Sequence, residues 1–386
     1  MCVLFAAAML GSASLAHAQD RVPDEFFPGF RLKLTFHAND ISVPGVRSRY
    51  VDLLESTVDL DLDRLAGWHG AVAHVELLHN YGSRPRDLVG SIQRTNDEDV
   101  ESRRFRIYQA WLEQSFAAGR ASLLAGAYDF KREFGALHVA DTLINPSFSI
   151  APELARSGVD GAPVFPTSAL AVRLRVQTGT MGYLQVAAIN ARAGAVGDAG
   201  GLDSSFRDGL LLVGEIGVSG RGKLAAGAWR YTRGLADIRD RDGSGAPVQR
   251  VSGGVYALVE TPLGSSSDGV RAATLFIRAG LSDGDTKAVA GSWQGGVNIR
   301  RLFASRPDSV LSLGVTQALI SQKFRQNRAD AGRPTPQTET AVELTYADRI
   351  NRLITLQPDL QWIHHPALNR FANDACVLSL RMKFEL

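Results

Sequence analysis

The sequence lacks a long apolar segment beyond its first residues. After the apolar stretch at residues 3–10, no run of ~18 apolar residues follows, and a helix needs about that length to cross a bilayer. The formal net charge is only +2, which gives no electrostatic reason to expect a nucleic-acid partner. Neither a domain boundary nor a convincing short-period repeat is evident. These absences argue against a helical membrane protein and against a DNA- or RNA-binding protein.

The first eighteen residues have the pattern of a secretory signal peptide. An apolar run is followed by small residues and then by Ala16-His17-Ala18, an A-x-A cleavage pattern. We therefore expect residues 1–18 to be removed and the mature protein to comprise residues 19–386. A buried N-terminal helix is the alternative, which the polar segment that follows disfavours.

Strict alternation of apolar and polar residues is the main signal in the rest of the chain. In the last ten residues, VLSLRMKFEL, every second residue is apolar and the others are mostly charged. Successive side chains of a strand point to opposite faces, so this segment predicts a strand with one apolar and one polar face. About sixteen such segments are present, most with the length that a tilted strand needs to cross a bilayer. They lie near residues 30–37, 58–63, 71–81, 106–116, 121–130, 169–177, 182–190, 208–218, 222–231, 251–261, 271–281, 288–300, 309–319, 338–347, 352–363 and 377–386.

The connections between these segments differ in length, depending on whether they follow an odd-numbered or an even-numbered strand. Those after odd-numbered strands have roughly 11–37 residues, except for one of roughly 6, whereas those after even-numbered strands have roughly 3–9. This sorting predicts an all-β fold, a transmembrane antiparallel β-barrel of about 16 strands with short periplasmic turns and long extracellular loops. We expect the polar connections 82–103 and 232–250 to face the exterior. A soluble all-β binding protein is disfavoured because a sandwich has no reason to sort its loops in this way.

The longest connection, residues 131–168, is too long for an idle loop. It contains Phe148, Phe165 and several prolines, which can anchor a segment against a barrel wall. We expect it to fold inward and narrow the lumen, although an external cap packed on other loops is an alternative.

Several side chains on the polar strand faces have the chemistry that a sugar pathway requires. Sugar hydroxyls exchange hydrogen bonds with Arg, Gln, Asp and Glu, and the C–H face of a sugar rests on an aromatic ring. Such side chains share the predicted lumen face in three strands, as Trp111 with Glu113, Arg173 with Arg175, and Asp359 with Gln361. In the alternative interpretation they are wall residues whose charges pair with one another.

Other chemistry has weak support. Residues 280–284 (GLSDG) match a nucleophile-elbow pattern, but they lie between two strands rather than before a helix. No histidine shares a strand face with a plausible serine, so an outer-membrane lipid hydrolase built on a barrel is the less favoured alternative. Two Asp-rich stretches lack the spacing of a calcium loop. We expect no enzyme activity, no metal and no cofactor.

Several stretches together resemble the carbohydrate-selective porin family, the OprB-like outer-membrane porins. They are residues 58–68 (VDLDLDRLAGW), 107–114 (IYQAWLEQ), 339–346 (ETAVELTY), 356–362 (LQPDLQW) and the segment 127–148. The resemblance implies a sixteen-stranded barrel, passive sugar diffusion and a pore narrowed by inward loops. Within the matching motifs it implies pathway roles for Trp111, Glu113, Lys131, Glu133, Asp359 and Gln361. Arg173 and Arg175 are added from their place on the lumen face. The chain departs from the family at its end, where Leu386 replaces the usual aromatic residue.

These observations predict a bacterial outer-membrane porin for passive diffusion of small sugars such as glucose. A general or anion-preferring porin is the alternative, because Lys131, Arg173, Arg175 and Arg278 could form a basic eyelet. The expected partners are small sugars, outer-membrane lipid and the barrel-assembly machinery, with a homotrimer suggested by resemblance.

Overall fold

The computed structural model describes residues 27–98, 104–264 and 272–386. The predicted signal peptide, residues 1–18, lies outside these ranges, so its cleavage stays a prediction.

Sixteen antiparallel strands in the described ranges close into one barrel, in which each strand pairs with its neighbours in sequence and β1 pairs with β16. The predicted fold class is confirmed, and all sixteen alternating segments are strands. The strands are β1 (Phe30–Val43), β2 (Arg47–Asp61), β3 (Ala71–Gly82), β4 (Phe105–Phe116), β5 (Ala121–Tyr128), β6 (Ala169–Thr178), β7 (Gly182–Asn190), β8 (Leu210–Ser219), β9 (Lys223–Arg241), β10 (Pro247–Pro262), β11 (Ala272–Ser282), β12 (Val289–Arg300), β13 (Val310–Ile320), β14 (Thr338–Arg349), β15 (Ile354–His364) and β16 (Ala375–Glu385).

The two faces of each strand follow the alternation of the sequence. In β16, Ser379 and Arg381 are buried on the lumen side, whereas Leu380 is exposed on the outer surface. Closure gives every strand a hydrogen-bonded neighbour on both sides, which a lipid environment requires of a sheet. The outward-facing residues are mostly apolar and the inward-facing residues mostly polar, as in a barrel that spans a membrane.

Two strand pairs are longer than the sequence predicted. Residues 38–57 belong almost entirely to β1 and β2, which are joined by a tight turn at residues 44–46. Residues 232–250 extend β9 and β10 into a long hairpin, where the sequence predicted a loop between two shorter strands. These extensions were missed because outward positions such as Asp40 and Ser42 are polar, so the apolar alternation stops before the strand does.

The longest connections follow odd-numbered strands, and they carry most of the short helices. The helices are α1 (Leu62–Ala66), α2 (Arg86–Val89), α3 (Pro146–Ser149), α4 (Pro152–Ala155) and α5 (Gln322–Asp330). Of these five helices in the described ranges, only α1 lies in a connection after an even-numbered strand. Among the described residues, no helix is both long enough and apolar enough to cross a lipid bilayer.

Ile277 lies at the middle of β11 on the outer face, and 45% of it is exposed. Replacing Ile277 with Arg should lower the free energy of unfolding in lipid vesicles by about 2–4 kcal/mol, because a cation at the bilayer midplane loses its hydration. Urea unfolding followed by tryptophan fluorescence measures this change, with Ile277→Leu as the control. Equal stability of the two variants would show that this face does not contact lipid.

Candidate functional site

The segment between β5 and β6, residues 129–168, folds into the barrel. We call it the long inward loop. Its apolar side chains Phe130, Phe134 and Phe148 are fully buried and share one hydrophobic cluster with wall residues such as Trp229 and Phe276. The prediction that this connection turns inward is therefore confirmed, and apolar burial is one force that holds it there.

Charged wall residues hold the backbone of the long inward loop from three further directions. The Arg278 guanidinium on β11 donates to the carbonyl oxygens of Gly135 at 2.7 Å and Ser147 at 2.6 Å. The Glu343 carboxylate on β14 accepts from the backbone N–H groups of Ile144 and Asn145. These wall charges are buried, and the loop backbone supplies the hydrogen bonds that buried charges require.

Glu215 on β8 makes a third anchor of the same kind. Its carboxylate accepts from the N–H of Gly135 at 2.6 Å and from the hydroxyls of Tyr183 and Tyr256, both at 2.8 Å. Anchors on β8, β11 and β14 thus spread the loop over much of the lumen wall.

A second inward segment follows β3, so the prediction that this part of the connection 82–103 faces the exterior is wrong. We call residues 91–98 the short inward segment. The Glu339 carboxylate on β14 accepts from the Ser91 hydroxyl at 2.6 Å and from the backbone N–H groups of Ile92 and Gln93, each at 3.1 Å. Seven of these eight residues are polar, which resembles an exposed loop in sequence, but here the polar groups meet polar wall residues instead of water.

Arg381 and Asn39 hold the far end of the short inward segment. The Arg381 guanidinium on β16 lies 2.5 Å from the Asp97 carboxylate and 3.3 Å from the Glu98 carboxylate. The Asn39 amide on β1 donates to Glu98 at 2.6 Å. The Asn145 amide also donates to the Arg94 carbonyl at 3.1 Å, so the two inward segments contact each other.

The lumen stays most open beside β1–β5, where inward-facing charged side chains are only partly covered. The exposed side-chain fractions are 52% for Lys33 of β1 and 33% for Asp59 of β2. Arg132 of the long inward loop, which contacts Glu76 of β3, is 47% exposed. Lumen residues of β11–β14 such as Arg278 and Glu343 are fully buried instead. The passage is therefore confined between the β1–β5 wall and the start of the long inward loop.

Glu113 and Glu133 converge on one cation at this narrow place. The Arg173 guanidinium on β6 lies 3.1 Å from the Glu113 carboxylate of β4 and 2.8 Å from the Glu133 carboxylate of the long inward loop. The Arg173 side chain is only 2% exposed, whereas the Glu113 and Glu133 side chains are 25% and 23% exposed. Arg173 thus lies behind two carboxylates that reach the passage.

The neighbouring cations of the long inward loop are Lys131 and Arg132. Lys131 lies 4.0 Å from the Asp129 carboxylate and 5.2 Å from the centre of the Phe165 ring. Arg132 makes a 2.7 Å contact with the buried Glu76 carboxylate of β3. Lys131 was predicted to lie on the pathway, but the adjacent Arg132 was not, because no alternation of side chains extends through the loop.

Trp111 lies on the lumen side of β4 and is partly exposed. One face of its indole ring stacks on the His74 imidazole, with ring centres 4.6 Å apart and planes inclined by 13°. Gly126 lies opposite Trp111 on β5 with a φ of +144°, and a Cβ there would lie 2.8 Å from the Trp111 Cβ. Glycine at this position therefore permits the close approach of the two strands that sets Trp111 in place.

The other sequence-predicted residues lie in two different surroundings. Arg175 on β6 contacts Gln185 at 3.3 Å and lies over the Tyr183 ring at 4.9 Å. Asp359 and Gln361 on β15 are buried, 4% and 0% exposed, behind the two inward segments.

Gln361 joins both inward segments to the wall. Its amide donates to the Thr95 carbonyl at 2.8 Å, its oxygen accepts from Asn145 at 3.3 Å, and it donates to Asp359 at 3.0 Å. The structure therefore brings Glu113, Glu133 and Arg173 together, with Trp111 on the same face of β4 as Glu113. It places Lys131 and Arg175 in other contacts and separates Asp359 and Gln361 from the passage.

The arrangement does not favour the alternative chemistries. Arg278 and Arg173 are buried in contacts with the loop and with carboxylates, so they do not form a basic eyelet with Lys131 and Arg175. The Ser282 hydroxyl donates to the Val289 carbonyl at 3.1 Å, and a loop followed by β12, rather than a helix, comes after it. Within the described ranges, no group of three or more His, Cys, Asp or Glu residues is arranged to hold a metal ion.

A family comparison covers most of the chain. Residues 47–386 match the model described as carbohydrate-selective porin, OprB family. Porin B of Pseudomonas aeruginosa is 21% identical over 386 aligned residues, which cover 87% of this chain and 81% of that protein.

Solved structures show the same fold. The high-pH structure of Pseudomonas putida OprB superposes with a TM-score of 0.83 at 18% identity and covers 93% of this chain and 94% of that one. The low-pH structure of the same protein gives 0.61 at 16% identity, with 93% of each chain covered. A mutant of the Rh. blastica porin gives 0.51 at 12% identity and covers 92% of this chain and 100% of that one.

Replacing Arg278 with Met should widen the passage, because the long inward loop loses the guanidinium that donates to three of its carbonyl groups, while the side-chain volume is nearly kept. Liposome swelling should show the maltose rate, relative to the glucose rate, rising by about twofold or more. Arg230→Met, an exposed arginine on β9, serves as the control. An unchanged maltose-to-glucose ratio would show that Arg278 does not set the width.

Proposed function

This chain belongs to the carbohydrate-selective porin family, OprB, and we propose that it lets small sugars such as glucose diffuse passively across the bacterial outer membrane. Membership of the family makes it a porin, that is, a channel of the outer membrane. The observation that carries the finer proposal is the convergence of Trp111, Glu113 and Glu133 where the long inward loop meets β4.

The convergence supplies the two kinds of contact that a sugar uses. Glu113 and Glu133 offer carboxylate oxygens that can accept hydrogen bonds from sugar hydroxyls. Lys131 and Arg132 offer donors on the same stretch of loop, and Trp111 offers an apolar ring beside them. A sugar can thus replace its hydrogen bonds to water by contacts with the wall, without being bound tightly. Passage requires weak contacts, because the sugar must leave as readily as it enters.

Charge pairing supports a preference for neutral solutes. Arg173 is shared by two carboxylates, and Arg132 is paired with Glu76. The local field is therefore partly cancelled, which favours modest ion selectivity over a strong preference for anions. Asp359 and Gln361 serve this function indirectly, by fixing the two inward segments that bound the passage.

The proposal also covers the export, membrane insertion and assembly of the mature protein. Residues 1–18 direct export and are cleaved, so the mature porin comprises residues 19–386. The outer strand faces contact lipid, the barrel-assembly machinery inserts the chain, and three copies associate in the membrane. The exposed apolar side chains of the outer faces support the lipid contact.

Replacing Trp111 and Glu113 together with Ala should alter sugar selectivity without preventing assembly. The variant loses the aromatic ring and one of the two carboxylates that reach the passage. We expect the swelling rate with glucose to fall about threefold or more relative to that with a neutral amino acid of similar size.

Leu112→Ala, on the opposite face of the same strand, is the matched control, and heat-resistant migration on gels reports assembly. An unchanged glucose-to-amino-acid ratio in an assembled double variant would reject Trp111 and Glu113 as selecting residues.

A further inference from the structure

His74 on β3 lies at the narrow part of the passage, and its imidazole has a carboxylate on each side. Its Nδ1 atom lies 2.7 Å from the Asp59 carboxylate of β2, and its Nε2 atom lies 3.7 Å from the Glu76 carboxylate of β3. Nε2 is buried and has no hydrogen-bond partner within the described residues. A neutral imidazole carries one N–H group and can donate to only one of the two carboxylates. An imidazolium carries two N–H groups, one on the side of each carboxylate.

The stacking partner of His74 also suits a positive charge. The imidazole lies against the Trp111 ring at 4.6 Å with nearly parallel planes. The face of an aromatic ring attracts a cation, so protonation of His74 strengthens this contact instead of breaking it. The ring can therefore change its charge without leaving its position.

Charged groups approach His74 from each neighbouring element. Asp59 on β2 and Glu76 on β3 flank the ring, while Arg132 of the long inward loop lies near both carboxylates. Arg31 on β1 acts on Asp59, and Glu55 on β2 acts on Glu76. Glu76 is already paired with Arg132 and accepts from the Gln109 amide of β4. Asp59 is therefore the carboxylate whose charge depends most on His74.

His74 and Asp59 differ in how much of their side chains is exposed. The His74 side chain is 7% exposed, whereas the Asp59 side chain is 33% exposed. Asp59 reaches the passage, and His74 lies behind it. The charge that a passing solute meets thus depends on whether the hidden imidazole is protonated.

We propose that His74 is a specificity-determining residue that makes the choice between cations, neutral sugars and anionic solutes such as sugar acids depend on pH. This inference rests on the proposed passage beside Trp111. Imidazole is the side chain whose charge ordinarily changes between about pH 5 and pH 8. While the ring is neutral, Asp59 keeps more of its negative charge and favours cations. Once the ring is protonated, the imidazolium cancels more of that charge and anions pass more readily.

The first test is the reversal potential of the full-length barrel in planar bilayers under a potassium chloride gradient. Between pH 8 and pH 5.5 the chloride-to-potassium permeability ratio of the wild type should rise about twofold, because water screens a single charge beside an open path. His74→Gln should abolish most of this rise. His37→Gln should retain it, because the Glu98 carboxylate beside His37 is already paired with Arg381.

Asp59→Asn gives a second, nearly isosteric variant. It removes the charge that protonation is proposed to cancel, so at pH 8 it should already have the permeability ratio that the wild type reaches at pH 5.5. A purely structural role for Asp59 would not produce this match.

Three results would overturn the proposal. They are a wild-type ratio that does not change with pH, a His74→Gln variant that keeps the change, and an Asp59→Asn variant that keeps the wild-type ratio at pH 8. Because the salt gradient contains no sugar, these results are distinguishable from a failure of the proposed sugar preference. That failure would appear only as equal swelling rates for glucose and a neutral amino acid.

Discussion

Buried charges on the barrel wall depend on the backbone of the inward segments for their hydrogen bonds. A barrel of sixteen strands is too wide for its own side chains to fill. Arg278, Glu343 and Glu339 would face water in an empty barrel, but here they bind peptide groups of two segments that enter the lumen. A buried charge is costly unless it is paired or hydrogen-bonded. Wall and loops therefore stabilise each other, and the position of the passage follows from where they do not meet.

The alternation of side chains was enough to predict the barrel. A strand that faces lipid outside and water inside must alternate, so all sixteen strands appeared in the sequence near their true positions. The predicted strand ends were wrong where strands extend beyond the part of the barrel that contacts lipid. In β9 and β10 the strands continue beyond the apolar region, and there the polar residues on both faces resemble those of a loop.

The site was predictable in part, for a different physical reason. The alternation of apolar and polar residues shows that a side chain faces the lumen, but it does not show whether another segment covers that side chain. Trp111 and Glu113 remain beside the passage, whereas Gln361, on an equally polar face, is covered by segments distant in sequence. The short inward segment and Arg132 were missed because their roles depend on those long-range contacts. The acid–base environment of His74 also depends on pairing across three strands, which local pattern does not reveal.

We propose that solutes pass between the β1–β5 wall and the long inward loop, and not along β15. Cysteine accessibility tests it most directly. In a background in which Cys376 is replaced by serine, Glu113→Cys and Gln361→Cys are each treated with a charged methanethiosulfonate reagent during conductance recording. The account predicts a stepwise fall in conductance for Glu113→Cys and no change for Gln361→Cys. A block at position 361 without one at position 113 would contradict it.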